Sequence, residues 1–350
     1  MDESSLYEYE LSTKNRPHVV ILGAGASCAV LRSGDKNGKK IPAMDGFIDK
    51  AGLNSIINKV ELNIKSNNLE DIYMELYERS YDDVAYNQVR IDLERAIKKY
   101  MSAFELPDSP SVYDYLVLSL TGKDLIATFN WDPLLVQAVC RVQLLTNNTP
   151  KIVFLHGNVG VGYCPKDHAF GALGLKCRCG SVFTPMQLLF PIKKKNYSTD
   201  PAINLSWKVL QEYLTNAYMV TIFGYSAPKS DVDAIDMLKQ AWGRVEDRKM
   251  EEMEFIDLKD ENSIYETWKS FIHSHHYTCT DNFFNSSLGK YPRRTCEATF
   301  DQLMNCEWLK GNLGFKENMD FSEIKKKIRP LLEEEISKQG ERVCLTDPYF

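Results

Sequence analysis

His18-Val19-Val20-Ile21-Leu22 runs directly into Gly23-Ala24-Gly25-Ala26-Ser27, and this stretch decides the fold class. A β-branched apolar run that ends in small residues reads as a buried parallel strand followed by a tight turn into a helix. Comparable runs stand at Leu125 to Phe129, Ile152 to Leu155, Tyr218 to Phe223 and Met253 to Leu258. Helical spacing fills the intervals: Leu69, Ile72, Tyr73 and Leu76; Ile97, Tyr100, Met101 and Phe104; Ile203, Trp207, Leu210 and Leu214. Strands alternating with helices predict an α/β fold built on a mainly parallel sheet. The interval from Leu22 to Leu125 is far longer than the dozen or more residues a crossover needs, so a helical insertion is expected over 32–120. Residues 157–184 hold six glycines and three cysteines without sustained apolar periodicity, and read as a second, smaller insertion. Residues 271–350 read as a helical extension. There Phe321, Ile324, Ile328, Leu331, Leu332 and Ile336 share a face, and Pro330 is expected to kink or split the helix. The polar stretches Arg32 to Lys40 and Lys193 to Asp200 read as surface segments, with Lys193-Lys194-Lys195 an exposed charge run.

Composition narrows the function classes. The chain has 350 residues, 44% hydrophobic and 26% charged, which is globular and sets a length prior of roughly two domains. Its 42 basic and 48 acidic residues give a net charge of −6, which disfavours sequence-independent binding to nucleic acid. No apolar run approaches the ~18 residues that span a bilayer, and residues 1–16 lack the apolar centre of a signal peptide. Nine cysteines without an export signal read as reduced thiols or metal ligands, and the expected compartment is the cytosol.

Several motifs fall at the ends of the predicted strands, where open α/β sheets bind ligands. The Gly23-Ala24-Gly25-Ala26-Ser27 turn allows close backbone approach and offers amides to phosphate oxygens. Cys28 stands where the last glycine of the Gly-x-Gly-x-x-Gly fingerprint would be. Thr128-Phe129-Asn130-Trp131-Asp132-Pro133 follows the second run. Asn130 can orient a substrate hydroxyl or a water, while Asp132 before Pro133 reads first as a helix N-cap. His156, after Phe154-Leu155 and before Gly157, is a candidate general base. Phe223-Gly224-Tyr225-Ser226-Ala227-Pro228 repeats the strand-turn-helix logic, and Ser230 with Asp233 resembles a capping box. Cys164, His168, Cys177 and Cys179 are four candidate zinc ligands, although the C-x-C pair is tighter than zinc-ribbon spacing. His273, His275, His276 and Cys279 form a second cluster that reads as a solvated loop.

The order of these motifs resembles the sirtuin superfamily, and within it the sirtuin-like NAD-hydrolysing domains of prokaryotic antiphage systems. The resemblance covers about residues 17–258, with Asn68 to Ile72 a loose additional match to a helix start. It implies a Rossmann-like NAD+-binding domain with helices on both faces of the sheet, spanning 1–270 and interrupted by the two insertions. Carried over by motif, Asn130 and His156 would be catalytic. Gly23, Ala24, Gly25, Ser27, Asp132, Gly224, Tyr225, Ser226 and Asp257 would bind the dinucleotide. Two departures separate the chain from deacylating sirtuins. Ile41-Pro42-Ala43-Met44-Asp45-Gly46-Phe47 lacks the arginine of their cofactor loop, and their paired C-x-x-C motifs are missing. The resemblance therefore implies an NAD+ glycohydrolase, regulated by a partner protein or by homo-oligomerisation as an effector of antiviral, abortive-infection defence. The competing expectations are an NAD-dependent protein deacylase and a non-catalytic NAD+ or ADP-ribose sensor.

Overall fold

A computed structural model of the chain describes residues 3–42, 44–192, 195–309 and 313–337. After α1 (Glu3–Lys14) comes β1 (His18–Leu22), then α2 (Ala24–Val30). The first insertion follows as α3 (Phe47–Lys50), α4 (Asn54–Ile57), α5 (Leu69–Arg79), α6 (Val84–Ser102) and α7 (Val112–Ser119). β2 (Leu125–Thr128), α8 (Leu134–Val142) and β3 (Lys151–Phe154) return to the sheet. The second insertion carries β4 (Val161–Cys164), β5 (Ala169–Ala172) and β6 (Thr184–Pro185). Then come α9 (Pro201–Asn216), β7 (Met219–Phe223), α10 (Val232–Trp242), β8 (Glu252–Ile256), α11 (Glu261–Trp268) and β9 (Tyr277–Thr280). The chain closes with α12 (Ser287–Lys290), α13 (Thr295–Phe300) and α14 (Phe321–Ser337).

The main sheet has six strands in the order β3-β2-β1-β7-β8-β9, every pair parallel. Helices cover both faces, which is why β1, β7 and β8 are buried at every position; β1 and β7 read as nearly unbroken apolar runs, whereas β8 carries Glu252 and Glu254. Counting only its own strands, the sheet follows the doubly wound Rossmann order, with the direction of winding reversing between β1 and β7. That reversal opens a crevice at the carboxyl ends of β1 and β7, directly after Leu22 and Phe223. The second insertion forms its own antiparallel sheet in the order β5-β4-β6. Among the described residues, no helix is long and apolar enough to cross a membrane.

Three helix predictions rest on periodicity that the packing honours. Leu69, Ile72, Tyr73 and Leu76 line the buried face of α5, and Ile203, Trp207, Leu210 and Leu214 that of α9. Asn68 caps α5 by accepting from the Glu70 amide at 2.8 Å. Ile97, Met101 and Phe104 are buried at the end of α6 and just beyond it.

The C-terminal region departs from expectation. It is not simply a helical extension beginning at 271, because β9 is the outer strand of the main sheet. Its sequence, Tyr-Thr-Cys-Thr, is polar and half-exposed, so it lacks the apolar signature of the inner strands. A line of buried hydrogen bonds ties the region down further. Thr221 Oγ1 donates to Glu254 Oε2 at 3.0 Å, so it accepts from His18 Nε2 at 2.7 Å. His18 Nδ1 then accepts from Thr295 Oγ1 at 2.8 Å, while Glu254 also receives the Ser287 amide at 2.6 Å. Burial pushes the His18 imidazole down to about 3, so it is neutral at physiological pH. α14 runs unbroken through Pro330. Lys326 and Pro330 both face solvent, so the carbonyl freed by the missing N–H is open to hydration, while Ile324, Ile328 and Leu331 stay buried. Ile336 falls outside the buried face at 66% exposure. Residues 338–350 of the expected extension lie outside the described residues.

Candidate active site

The register places the predicted site residues along one edge of the sheet. Thr128 pairs with Phe154, so Asn130 and His156 leave neighbouring strands at the same level. Leu22 pairs with Thr128 and with Phe223, which brings the Gly23 and Gly224 turns to that edge, and Asp257 follows β8 there too.

Gly23 and Gly25 are glycines because the Gly224 turn packs directly on them. A Cβ at Gly23 would lie 2.5 Å from the Gly224 carbonyl oxygen, and one at Gly224 (φ +60°) 2.4 Å from the Ala26 nitrogen. The Gly23 amide donates to Phe223 O at 3.0 Å and the Gly25 amide to Gly224 O at 2.9 Å. With Ala26 donating to Gly23 O at 3.0 Å, three amides of the turn are bonded to the chain itself.

Asn130 is pinned beside this turn. Its Nδ2 donates to Gly23 O at 2.8 Å and to Ser27 Oγ at 2.9 Å, with Tyr113 Oη at 3.2 Å. A carbonyl accepts only from the NH2 end, so Gly23 fixes which way the amide faces. Among the described residues Oδ1 has no hydrogen bond, and it is the end left for a ligand. Ser27 Oγ donates to Asp132 Oδ2 at 2.7 Å, and Asp132 Oδ1 accepts from the Leu134 amide at 3.1 Å. Asp132 is not the N-cap that its position before Pro133 predicts, because Pro133 holds that place and α8 begins at Leu134; Asp132 stands one residue earlier and anchors the site network. Burial raises its pKa, opposed by the Ser27 and Leu134 hydrogen bonds. Asn158 braces the same loop through the Asp132 carbonyl at 2.6 Å.

His156 is buried against Phe129, ring centroids 4.8 Å apart, and shares a 3.3 Å hydrogen bond with Tyr197 Oη. Burial pushes its imidazole down to about 4; Asp231, 3.7 Å away, opposes this and Lys195 adds to it. At neutral pH it is therefore unprotonated and able to accept a proton. Tyr225 stacks on the other side of Phe129 at 4.1 Å and donates its hydroxyl to Asp231 Oδ2 at 2.9 Å. Ser226 is exposed and lines a small cleft with Tyr225, Asp257, Lys259 and Trp268. Asp257 spends one carboxylate oxygen on the Lys259 amide at 3.0 Å.

Two expectations about this edge need correcting. Lys195 is not part of an exposed run: its side chain is 3% exposed and pairs with Asp231, and its Nζ also donates to Ser230 O at 2.9 Å. Lys193 and Lys194 lie outside the described residues, as does Ala43 of the Ile41–Phe47 loop. Ser230 does not cap a helix; Lys229–Asp231 forms a 3-10 turn and α10 begins at Val232 without a side-chain cap.

The cysteine-bearing insertion gathers Cys164, Cys177 and Cys179 with Asp167, their ligand atoms all within 4.8 Å of one another. Asp167, and not His168, is the fourth member. His168 turns away at φ +50° and shares a 2.7 Å hydrogen bond with Tyr163 Oη. Three thiols and a carboxylate suit tetrahedral zinc, and the 3.6 Å separation of Cys164 and Cys179 Sγ is close to what two ~2.3 Å Zn–S bonds require. The purified chain is expected to carry about one zinc per molecule by elemental analysis. Cys177→Ser should lower that content together with the melting temperature; an unchanged metal content would remove this assignment. The second cluster is only partly a loop. Cys279 lies in β9, and His276 Nδ1 meets the buried Glu252 carboxylate at 2.7 Å.

No protein-family model matches this sequence, and no curated protein matches it. Among solved structures the fold is similar to a Sir2 homologue in complex with NAD, at 16% identity and TM-score 0.41 over 85% of this chain and 94% of that one. It is also similar to a mutant Sir2 homologue in complex with ADP-ribose, at 12% identity and TM-score 0.39 over 95% and 98%. A third is Sir2 bound to acetylated peptide, at 13% identity and TM-score 0.36 over 87% and 99%. At these values the likeness is one of overall chain arrangement, and the chemistry below is derived from this chain's own residues.

Proposed function

We propose that the chain is an NAD+ glycohydrolase that cleaves NAD+ to nicotinamide and ADP-ribose. The observation that carries this reading is the pinned Asn130 amide, its acceptor oxygen unbonded, at the same sheet edge as the neutral His156. Nicotinamide leaves as a neutral molecule from a cationic ring, so the reaction needs no acid at the leaving group. It needs fixed dipoles for the developing oxocarbenium-like ribose and a base for the attacking water or a ribose hydroxyl. Asn130 supplies the first and His156 the second. The Gly23–Ser27 and Gly224–Ser226 turns hold the diphosphate and adenosine, converting binding energy into orientation.

Regulation of this activity is part of the proposal. An enzyme that depletes NAD+ harms its own cell, so a form that opens only on contact with a partner or another copy of the chain suits an effector of antiviral defence. The test is nicotinamide release, measured with the chain alone and with the products of neighbouring genes co-purified, in the presence and absence of an acyl-lysine peptide. Release without peptide is expected. Release only with peptide would favour deacylation, and tight NAD+ binding without turnover in all conditions would favour a sensor.

Because His156 is neutral down to about pH 4, kcat/KM is expected to stay level from pH 8 to about 5. A limb near pH 6.5 would assign the base elsewhere. Folding adds its own pH dependence. In the unfolded chain His18 and His156 take up protons near 6.5, whereas in the folded chain they do so only near 3 and 4. Stability is thus lost as pH falls from 6.5 towards 4, and the profile is read alongside thermal unfolding.

A further inference from the structure

Tyr113 is 1% exposed on α7, a helix set in register by a capping box between Ser111 and Asp114. Its neighbours Leu116, Val117 and Leu118 are buried and apolar, so packing alone would be served as well by phenylalanine. The hydroxyl has a different employment. Ser27 has one proton, and it goes to Asp132 Oδ2 at 2.7 Å, so Ser27 must accept from its other partners. Tyr113 Oη therefore donates to Ser27 Oγ at 2.9 Å and accepts from Asn130 Nδ2 at 3.2 Å. The result is a directed relay: Asn130 to Tyr113, Tyr113 to Ser27, Ser27 to the Asp132 carboxylate.

We propose that the Tyr113 hydroxyl is a positioning group that holds the Asn130 amide with its NH2 turned inward and its Oδ1 presented to the ribose; this rests on the glycohydrolase reading of the site. An amide torsion is broad and roughly two-fold, so only its hydrogen bonds decide which end faces the ligand. Gly23 holds one N–H. Ser27 and Tyr113 share the other, and without the phenol Ser27 also loses one of its two donors.

Tyr113→Phe removes a single oxygen and keeps the ring. In the complete chain, with whatever partner activates it, kcat should fall about 10-fold while KM for NAD+ changes less than about two-fold. A role confined to stability would lower the melting temperature without that split. A second reading does not depend on turnover: the side-chain amide of Asn130, identified in nitrogen-15 spectra by its disappearance in Asn130→Ala. Its two protons should shift and exchange faster with solvent in Tyr113→Phe. Unchanged Asn130 signals overturn the proposal, as does wild-type kcat. If the parent chain releases no nicotinamide in any condition, the glycohydrolase reading falls, and the amide signals still decide what Tyr113 does. Should Tyr113→Phe not fold, Ser27→Ala breaks the same relay and is expected to give the same amide signature; its absence counts against the proposal.

Discussion

Alanine at position 130 or 156 should lower nicotinamide release by about 10²- to 10⁴-fold, the range expected when a positioned proton acceptor is removed. The two losses should not add. In the proposed mechanism Asn130 orients the ribose and His156 takes the proton of the water or a ribose hydroxyl, so either loss idles the other residue, and the double variant should be about as slow as the worse single one. Folding should survive in both. Asn130→Ala gives up its bonds to Gly23 and Ser27, but Asn158 still braces the loop through the Asp132 carbonyl. His156→Ala leaves Phe129 stacked on Tyr225. Either variant retaining half the parent activity, with the activating partner present, would take that residue out of the mechanism.

The largest effect on stability is expected one residue along. Gly157→Ala meets two penalties at once. Its φ of +79° is left-handed, which costs a side-chain-bearing residue about 1–2 kcal/mol. Its new Cβ would stand 2.0 Å from the Gln187 carbonyl oxygen, a backbone atom that cannot swing aside, and overpacking of this kind costs about 1–3 kcal/mol more. A combined loss of ~2–5 kcal/mol should appear as a melting temperature lower by several degrees. Gly52→Ala is the control. It has φ +69° with nothing within 4 Å of a built Cβ, so it meets the backbone penalty alone. Equal melting temperatures for the two variants would mean that the Gln187 contact is not as close as described. Because Gly157 follows His156, the displaced backbone should also impair catalysis.

The sheet was largely legible from sequence because β1 and β7 are buried at every position and apolar except for His18 and Thr221, and β8 keeps Met253, Phe255 and Ile256 around its two glutamates. β9 was not, since an edge strand half in water carries no such pattern. The placement of Asn130 and His156 at one sheet edge was visible for a related reason: each follows a recognisable strand at its carboxyl end. Tyr113 follows no strand. Its hydroxyl reaches Ser27 through the packing of α7 on the first turn, a contact between residues 86 positions apart. Lys195 was misread because three consecutive lysines ordinarily lie in solvent, and nothing local announces that Asp231 will draw one of them inside. Asp167 was passed over for its neighbour His168, the commoner zinc ligand, because adjacency in sequence hides which of two side chains a tight turn carries towards the thiols.

The hydrogen-bonded line from Thr295 through His18, Thr221 and Glu254 to Ser287 bears on how the molecule can be dissected. A version trimmed near residue 270 would strip donors from the buried His18 imidazole and Glu254 carboxylate, and lay bare the outer edge of the sheet as well. Such a fragment is a sticky, half-finished object, so the smallest working unit has to be sought by altering single side chains and not with scissors.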